Sequence, residues 1–410
     1  MNQRSRARPC RGDDGVMAGV SPDEESLEAE LLDLGVVGER TSAADGSSSR
    51  PMMSRRGLLL TGGVLATGGL AVALRPGSPS PPPSAGQAPP SSPAPTSAAQ
   101  PAMLTRPLPG TTPGWELCAL GADMLLRIHP ATGLVVRSPV PPVGDGQVSL
   151  VPLRRGVLLR RVGPNPGYLV PDGGRTVVLS PELAGDGPVL PGPDQDHVWT
   201  VRQRGGAEVA LVDVRTRRTR TVVPVPQFST MGPMTDGAGG LLFERIGALY
   251  RMSPTGRLRI SNGIVLAVGT GALLTLERSP RGGLQTVLRR QDGDRRVVPV
   301  PIGPQRPHGV LSPDAGTVAL FVVPDPTEPM HTQRISLALV GLRAGVLRSV
   351  DVDLTGVAGD GSIAWSPDGR WVFCVDATNA LAAIEVSSGA VSLLDPHLPP
   401  VSQLAIRMES

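Results

Sequence analysis

From Trp115 onward the chain repeats one simple pattern. Short runs of Val, Leu, Ile and Thr are separated by Gly, Pro, Asp and Ser, at intervals of about 8–12 residues. Such intervals are typical of short strands joined by tight turns, as in a β-sandwich, barrel or propeller. Because no convincing long amphipathic helix interrupts the pattern, residues 114–410 are predicted to form an all-β region.

The predicted strands fall into repeating units of four. The clearest unit begins at Ser362–Trp365 and continues through the turn Ser366-Pro367-Asp368-Gly369 into three further strands, which end at Leu394. Successive units begin about 35–50 residues apart, which is the spacing of four-stranded propeller blades. The earlier units begin near Gln147, Gly187, Met231, Ile264 and His308.

The two ends of the region are predicted to complete one blade together. Residues 115–138 supply only three strands, and the C-terminal run Ser402–Met408 is a spare strand that would supply the fourth. Joining the termini in this way removes open sheet edges. With the six units that follow, this predicts a β-propeller of seven four-stranded blades. Six or eight blades and a pair of β-sandwiches remain alternatives.

The turns of these units resemble those of the TolB-like and WD40-like β-propeller group. The resemblance lies in Ser312-Pro313-Asp314 and Ser366-Pro367-Asp368-Gly369-Arg370, and the region it covers is about three quarters of the chain. Proline presets φ at the second turn position, Asp bonds nearby backbone, and Gly permits the reversal of direction. The resemblance implies the fold, and it implies no particular chemistry.

An uncharged segment, Gly57–Leu74, precedes the β-rich region. As a helix its 18 residues would extend about 27 Å, which is at the short end of what crosses a bilayer. Arg50, Arg55 and Arg56 flank its N-terminal side, so the positive-inside bias predicts that the C-terminal region lies outside the cytoplasm. The alternative is a buried core helix.

The same stretch resembles a twin-arginine export signal. It reads Ser54-Arg55-Arg56-Gly57-Leu58-Leu59-Leu60, with leucines where that family has Phe and Lys. Ala71 and Ala73 have the small-x-small form of a cleavage site. Residues 54–74 are therefore predicted to be a signal or transmembrane helix, so the protein is either a single-pass membrane protein or secreted after cleavage. The true start could also be Met17, Met52 or Met53.

Residues on both sides of this segment are predicted to stay outside the fold. Residues 1–53 form a polar tail, in which Ser21 and Glu24 make a capping box for a short helix at 21–34. This helix either docks on a cytoplasmic partner or frays in water. Residues 75–113 are rich in Pro, Ser and Ala and are predicted to be a semi-rigid linker.

Composition limits the classes of partner and cofactor that we expect. The net charge is +3, and the basic residues, all arginines, are scattered along the chain, so a nucleic-acid partner is not expected. Cys118 and Cys374 lie in the β-rich region, where they form either one disulfide or two buried free thiols. No Cys-x-x-Cys pair or Cys/His cluster predicts a zinc site, and we expect no cofactor.

Candidate chemistry is sparse, and no catalytic residue is predicted. Candidate ligand loops carry His308 and His397, which fall between blades, and a His–carboxylate group in the longest loop, made of Asp325, Glu328 and His331. A second group, Asp194, Asp196 and His197, falls in a turn on the other side of the disc. Such residues can hold a metal or transfer protons, but they are also ordinary loop residues.

The sequence therefore favours a binding protein over an enzyme. We expect an extracytoplasmic propeller that binds a ligand, a peptide or a protein of the cell envelope, because the fold presents rigid loops and dictates no chemistry. The membrane is the other expected partner, through residues 57–74. The alternative is an exported metal-dependent hydrolase of the lactonase type.

Overall fold

The computed structural model describes ten stretches between residues 100 and 409, with short gaps between them. All lie in one of the chain's two compact units, and the other unit, Leu32–Ala94, falls outside the described residues. The predicted helix at 21–34, the segment 54–74 and residues 75–99 of the predicted linker also fall outside. The described stretches are 100–142, 148–161, 166–202, 208–225, 234–245, 248–253, 256–300, 308–322, 335–354 and 361–409.

These stretches form an all-β propeller with four-stranded antiparallel blades, to one of which, blade I, a fifth strand is added. Blade I contains β1 (Gln100–Met103), β2 (Trp115–Gly121), β3 (Met124–His129), β4 (Leu134–Pro139) and β29 (Val401–Met408). Blade II contains β5 (Val148–Leu153), β6 (Gly156–Arg161), β7 (Tyr168–Pro171) and β8 (Val177–Val178), and helix α1 (Pro181–Ala184) follows it. Blade III contains β9 (Val189–Pro191), β10 (His197–Arg202), β11 (Glu208–Asp213) and β12 (Thr219–Pro224).

The second half of the chain continues the same meander. Blade IV contains β13 (Met234–Thr235), β14 (Leu241–Arg245), β15 (Ala248–Ser253) and β16 (Gly256–Ser261). The next eight strands form one sheet, called the double sheet below: β17 (Ile264–Gly269), β18 (Ala272–Arg278), β19 (Leu284–Arg290), β20 (Arg295–Val297), β21 (His308–Leu311), β22 (Thr317–Val322), β23 (Ile335–Gly341) and β24 (Val346–Leu354). Blade V contains β25 (Ile363–Trp365), β26 (Trp371–Val375), β27 (Leu381–Glu385) and β28 (Val391–Leu393).

The predicted count of seven separate blades is wrong. The described residues form five blades and the double sheet, because β17 and β21 pair in parallel through Ala267↔Gly309 and Val268↔Val310. Gly269 permits this approach, because a Cβ there would lie 2.6 Å from the Leu311 Cβ on β21. A larger side chain at this position would hold β17 and β21 apart. Gly309 has a different role, since a Cβ there would lie 2.2 Å from the Ala319 carbonyl oxygen on β22.

The joining of the termini is confirmed. Strand β29 pairs antiparallel with β2 from Trp115↔Met408 to Gly121↔Val401 and forms the inner strand of blade I. The blade also takes in residues from the range 75–113 that was predicted as linker, because β1 pairs with β4 and becomes its outermost strand. Leu104 and Leu108, which follow β1, are buried in the core of this blade, which explains why the chain folds onto it.

The Ser-Pro-Asp turns have the geometry that their residues predict. In blade V, Ser366 Oγ lies 2.5 Å from Asp368 Oδ1 and accepts a hydrogen bond from the Trp371 amide at 2.9 Å. Gly369 has φ +70°, which glycine adopts without steric cost. Ser312 makes the same contacts in the double sheet. These side chains satisfy the backbone of the reversal and hold the first two strands of each unit in register.

The core lies between neighbouring sheets, and both cysteines of the folded region are buried in it as free thiols. Cys118 packs between blades I and II, and Cys374 packs between the double sheet and blade V. Burial raises the pKa of Cys374 to about 12, and burial together with the nearby charge of Glu116 raises that of Cys118. Of the two predicted alternatives, the structure therefore has the free, unreactive thiols.

Candidate functional site

A cavity of about 670 Å³ lies between blades II and III. Three turns contribute to it: the turn between the first and second strands (the A–B turn) of each blade, and the turn between the third and fourth strands (the C–D turn) of blade III. Strand β8 and the segment after it also contribute. Its volume falls in the range of small-molecule sites. The cavity is lined by Leu153, Arg154, Arg155, Leu169, Val177, Val178, Leu179, Ser180, Leu183, Gln195, Asp196, His197, Asp213, Val214, Arg215 and Arg217.

The cavity exists because the outer strand of blade II is very short. Strand β8 makes only two pairs with β7, Tyr168↔Val178 and Leu169↔Val177. The chain then turns away, since Pro181 suits the first position of α1, which begins directly after Ser180. The outer edge of blade II is therefore incomplete, and Val177 and Val178 are left 49% and 60% exposed beside the cavity.

The floor of the cavity is apolar and belongs to the core. Leu153, Leu179 and Leu183 are buried, and they pack in one cluster with Val151 and Val198 between blades II and III. Because these side chains are fixed by close packing, the floor is largely preformed. An apolar ligand group can lie on it without first ordering the protein.

The rim of the cavity is cationic. Its two aspartates are already paired, because Arg154 Nε lies 3.0 Å from Asp196 Oδ2 and Arg220 bonds Asp213 Oδ2 at 2.9 Å. The Thr216 amide and Arg220 also hold the pKa of Asp213 well below its usual range. The remaining charged residues are arginines that make no ion pair within the described part of the chain: Arg155, Arg215 and Arg217.

The predicted group of Asp194, Asp196 and His197 lies at this rim. Asp194 Oδ1 is 2.7 Å from His197 Nδ1 and accepts a hydrogen bond from the Asp196 amide at 2.8 Å. Desolvation opposes the charged form of Asp194, but the hydrogen bonds from His197 and the Asp196 amide outweigh it and lower the pKa. The carboxylate therefore orients the imidazole at the edge of the cavity, where it can exchange a proton or hydrogen-bond a ligand.

A second charged cluster lies where β29 closes blade I. His129 Nδ1 is 2.7 Å from Glu409 Oε1, and its Nε2 is 3.4 Å from Glu116 Oε2. These three residues could hold a metal ion, since their ligand atoms lie within 4.8 Å of one another. However, Arg407 already bonds Glu116 at 2.7 Å and Asp172 at 2.6 Å. The cluster is therefore largely charge-paired and joins β29 to β2, β3 and blade II.

The other predicted ligand residues do not line the cavity. His308 is the first residue of β21 and is exposed. His397 is also exposed, and its amide donates to Asp395 Oδ1 at 2.8 Å. The remaining predicted positions lie outside the described residues: Asp325, Glu328, His331, Arg55, Arg56, Ala71 and Ala73. Within the stretches that the structure describes, no helix is long and apolar enough to cross a membrane.

The rim arginines were missed by the sequence analysis. They lie in two arginine-rich turns, Arg154-Arg155 and Arg215-Thr216-Arg217-Arg218, which are each exposed. Neither turn was singled out from the sequence. The available signal was that two A–B or C–D turns of neighbouring blades carry adjacent arginines, which places these charges at the same ends of the sheets.

Comparison with known proteins adds no function. The chain matches no protein-family model and no curated protein. Its similar solved structures include TolB from Acinetobacter baumannii, at 16% identity over 72% of this chain and 82% of that chain, with a TM-score of 0.40. A streptogramin B lyase is 13% identical over 68% and 95%, with a TM-score of 0.41. The dihydro-heme d1 dehydrogenase NirN is 12% identical over 74% and 77%, with a TM-score of 0.40.

Proposed function

We propose that this protein is an extracytoplasmic ligand-binding propeller of the cell envelope, and that the cavity between blades II and III is its binding site. The observation that carries this proposal is the combination of a fixed apolar floor, formed by Leu153, Leu179 and Leu183, with a polar rim. Binding sites typically combine an apolar lining with a few placed polar groups. The ligand is a small molecule or a short segment of an envelope protein or peptide.

Occupation of the cavity is tested with a neutral apolar dye, Nile red, and the full-length protein. Val177→Trp places a large ring beside the cavity without changing a core residue, because Val177 is 49% exposed. Val297→Trp is the matched control, because Val297 is 54% exposed on an outer strand of the double sheet. We expect Val177→Trp to abolish the rise in dye fluorescence and Val297→Trp to leave it unchanged. Equal dye binding by both variants would refute this site.

The export part of the proposal is carried by the sequence. Arg55 and Arg56 precede an uncharged segment, and the Pro/Ser-rich stretch after it suits a spacer between membrane and domain. Replacing both arginines by lysine should retain the protein in the cytoplasm, as judged by protease protection of the C-terminal region in intact cells. Unchanged export would exclude the twin-arginine route. The intact mass of the exported protein separates cleavage at Ala71–Ala73 from a retained anchor.

A second candidate function, a metal-dependent hydrolase of the lactonase type, has one observation in its favour. Glu116, His129 and Glu409 bring metal-ligating atoms together. The test is metal analysis after incubation with Zn²⁺ or Ca²⁺, combined with a lactone hydrolysis assay. Retention of one ion by the wild type but not by His129→Ala, with activity that depends on it, would support this function. A metal-free, inactive protein would leave the binding function.

A further inference from the structure

We propose that the ligand of this cavity is an amphipathic organic anion, with an aliphatic body and a carboxylate or a similar anionic head. The inference rests on the proposed binding function and goes further by naming the ligand class. It is carried by the charge balance of the rim above the apolar floor.

The rim has more positive charge than its own residues neutralise. Four arginines and two aspartates line the cavity, and both aspartates are paired, Asp196 with Arg154 and Asp213 with Arg220. A carboxylate group on a ligand would bond one or more of the remaining guanidinium groups, since arginine presents a planar fork that matches carboxylate geometry. A cationic ligand would face repulsion at the same rim. The arginines available to the head group are Arg155, Arg215 and Arg217.

The backbone conformation of Arg217 supports a role for its side chain in binding the anionic head. Its φ is +59°, in the left-handed region that glycine and asparagine adopt with less strain. The Asp213 carboxylate maintains this turn by accepting a hydrogen bond from the Thr216 amide at 2.8 Å, and the Arg217 amide donates to the Asp213 carbonyl at 2.8 Å. The turn therefore presents an arginine at a strained position directly beside the cavity.

The other lining residues indicate the chemistry of the ligand's apolar part. Beneath the rim lie the buried side chains of Leu153, Leu179 and Leu183, and at the open side lie the exposed Val177 and Val178. An aliphatic chain would remove this apolar surface from water, which favours binding. The described lining residues include no Phe, Tyr or Trp side chain. The body is therefore aliphatic rather than a sugar or nucleobase, which aromatic side chains commonly stack on.

Binding of such an anion would join two blades. Arg155 belongs to the A–B turn of blade II, whereas Arg215 and Arg217 belong to the C–D turn of blade III. A head group that bonds both turns, with its chain on the shared floor, links the blades at the joint where the outer strand is incomplete. Ligand binding should therefore raise the melting temperature.

The test compares three unbranched ten-carbon probes with different heads: decanoate, decanol and decylamine. Each is titrated against the full-length protein by calorimetry, decanoate and decylamine below their micelle concentrations and decanol below its solubility limit. Decanoate should bind at least about tenfold more tightly than the other two, which corresponds to about 1.4 kcal/mol. Its affinity should fall as salt is added, because the guanidinium groups are exposed.

Charge-removing variants identify the arginines that bind the head. Arg215→Gln with Arg217→Gln should weaken decanoate binding at least about tenfold and remove its preference over decanol. The matched control is Arg281→Gln with Arg296→Gln, since both arginines are exposed on the double sheet. If the three probes bind equally while Nile red binds normally, the anion proposal is overturned and the binding site remains. If Nile red also fails to bind, the proposed function itself fails.

Discussion

Two joints between neighbouring four-stranded units differ in how far they close. In the double sheet, β17 and β21 pair directly, and Val298 and Val300 after the outer strand β20 are buried in the shared core. Between blades II and III the inner part is also packed, but the segment after β8 turns into α1 and leaves a cavity of about 670 Å³. The contrast indicates that the segment after the outer strand decides whether a joint is filled by core side chains or leaves a cavity.

The largest loss of stability should come from forcing apart β17 and β21, the strands that close the joint in the double sheet. Gly269→Val places a Cβ only 2.6 Å from the Leu311 Cβ, so β21 must move away from β17. Overpacking of this kind costs about 3 kcal/mol in the free energy of unfolding. Urea unfolding of the full-length protein measures it.

Gly341→Ala is the control for this change. Gly341 lies in the same sheet, and a Cβ there would meet no atom within 4 Å. Its unfolding midpoint should change little. Equal losses for Gly269→Val and Gly341→Ala would show that the close pairing of β17 and β21 does not stabilise the joint.

A smaller loss of stability is expected from removing part of the cavity floor between blades II and III. Leu183 is only 3% exposed, and Leu183→Ala should cost about 2 kcal/mol, toward the lower end for a buried leucine because the space left behind connects with an existing cavity. Leu258→Ala, at a side chain that is 65% exposed, should leave the free energy of unfolding nearly unchanged. A negligible loss for Leu183→Ala would mean that the floor is not part of the packed core.

The double sheet should also have a distinct pH dependence. Burial opposes the charged form of Glu277, but hydrogen bonds from Arg289, Thr275, Ser261 and Arg295 outweigh it and lower its pKa from 4.5 to about 2. A lowered folded-state pKa means that this carboxylate stabilises the fold above pH 4.5 and that the contribution is lost as pH falls toward about 2. Melting temperatures measured across this range should fall more steeply for the wild type than for Glu277→Gln. Parallel curves would contradict this assignment.

The sequence predicted the repeating part of this architecture better than its joints. Local turn chemistry at Ser312 and Ser366 and the spare strand Ser402–Met408 indicated the propeller and its closure, because each signal lies within a few residues or within one strand. The pairing of β17 with β21 carries no such signal, because it joins strands about forty residues apart and depends on the small Gly269 beside Leu311.

The candidate site was predictable only in part, for the same reason. Asp194, Asp196 and His197 are near neighbours in the sequence, so the group could be recognised without the structure. It lies at the cavity. The cavity itself depends on a two-residue β8 and on arginines from turns of two blades, so only the fold brings its residues together. His308 and His397 were chosen from their positions between blades, and both lie away from it.

The smallest effect on stability should separate binding from folding most clearly. Val177→Ser with Val178→Ser changes two exposed side chains, so the free energy of unfolding should shift by less than about 0.5 kcal/mol. The matched control is Val346→Ser with Leu347→Ser, at residues 60% and 53% exposed on β24 of the double sheet. Only the first pair lines the cavity, so only it should weaken Nile red binding, and by several-fold because apolar contact area is lost. Equal weakening by both pairs would mean that the dye binds exposed apolar surface in general. The joint between blades II and III would then not differ from the double sheet as a binding site.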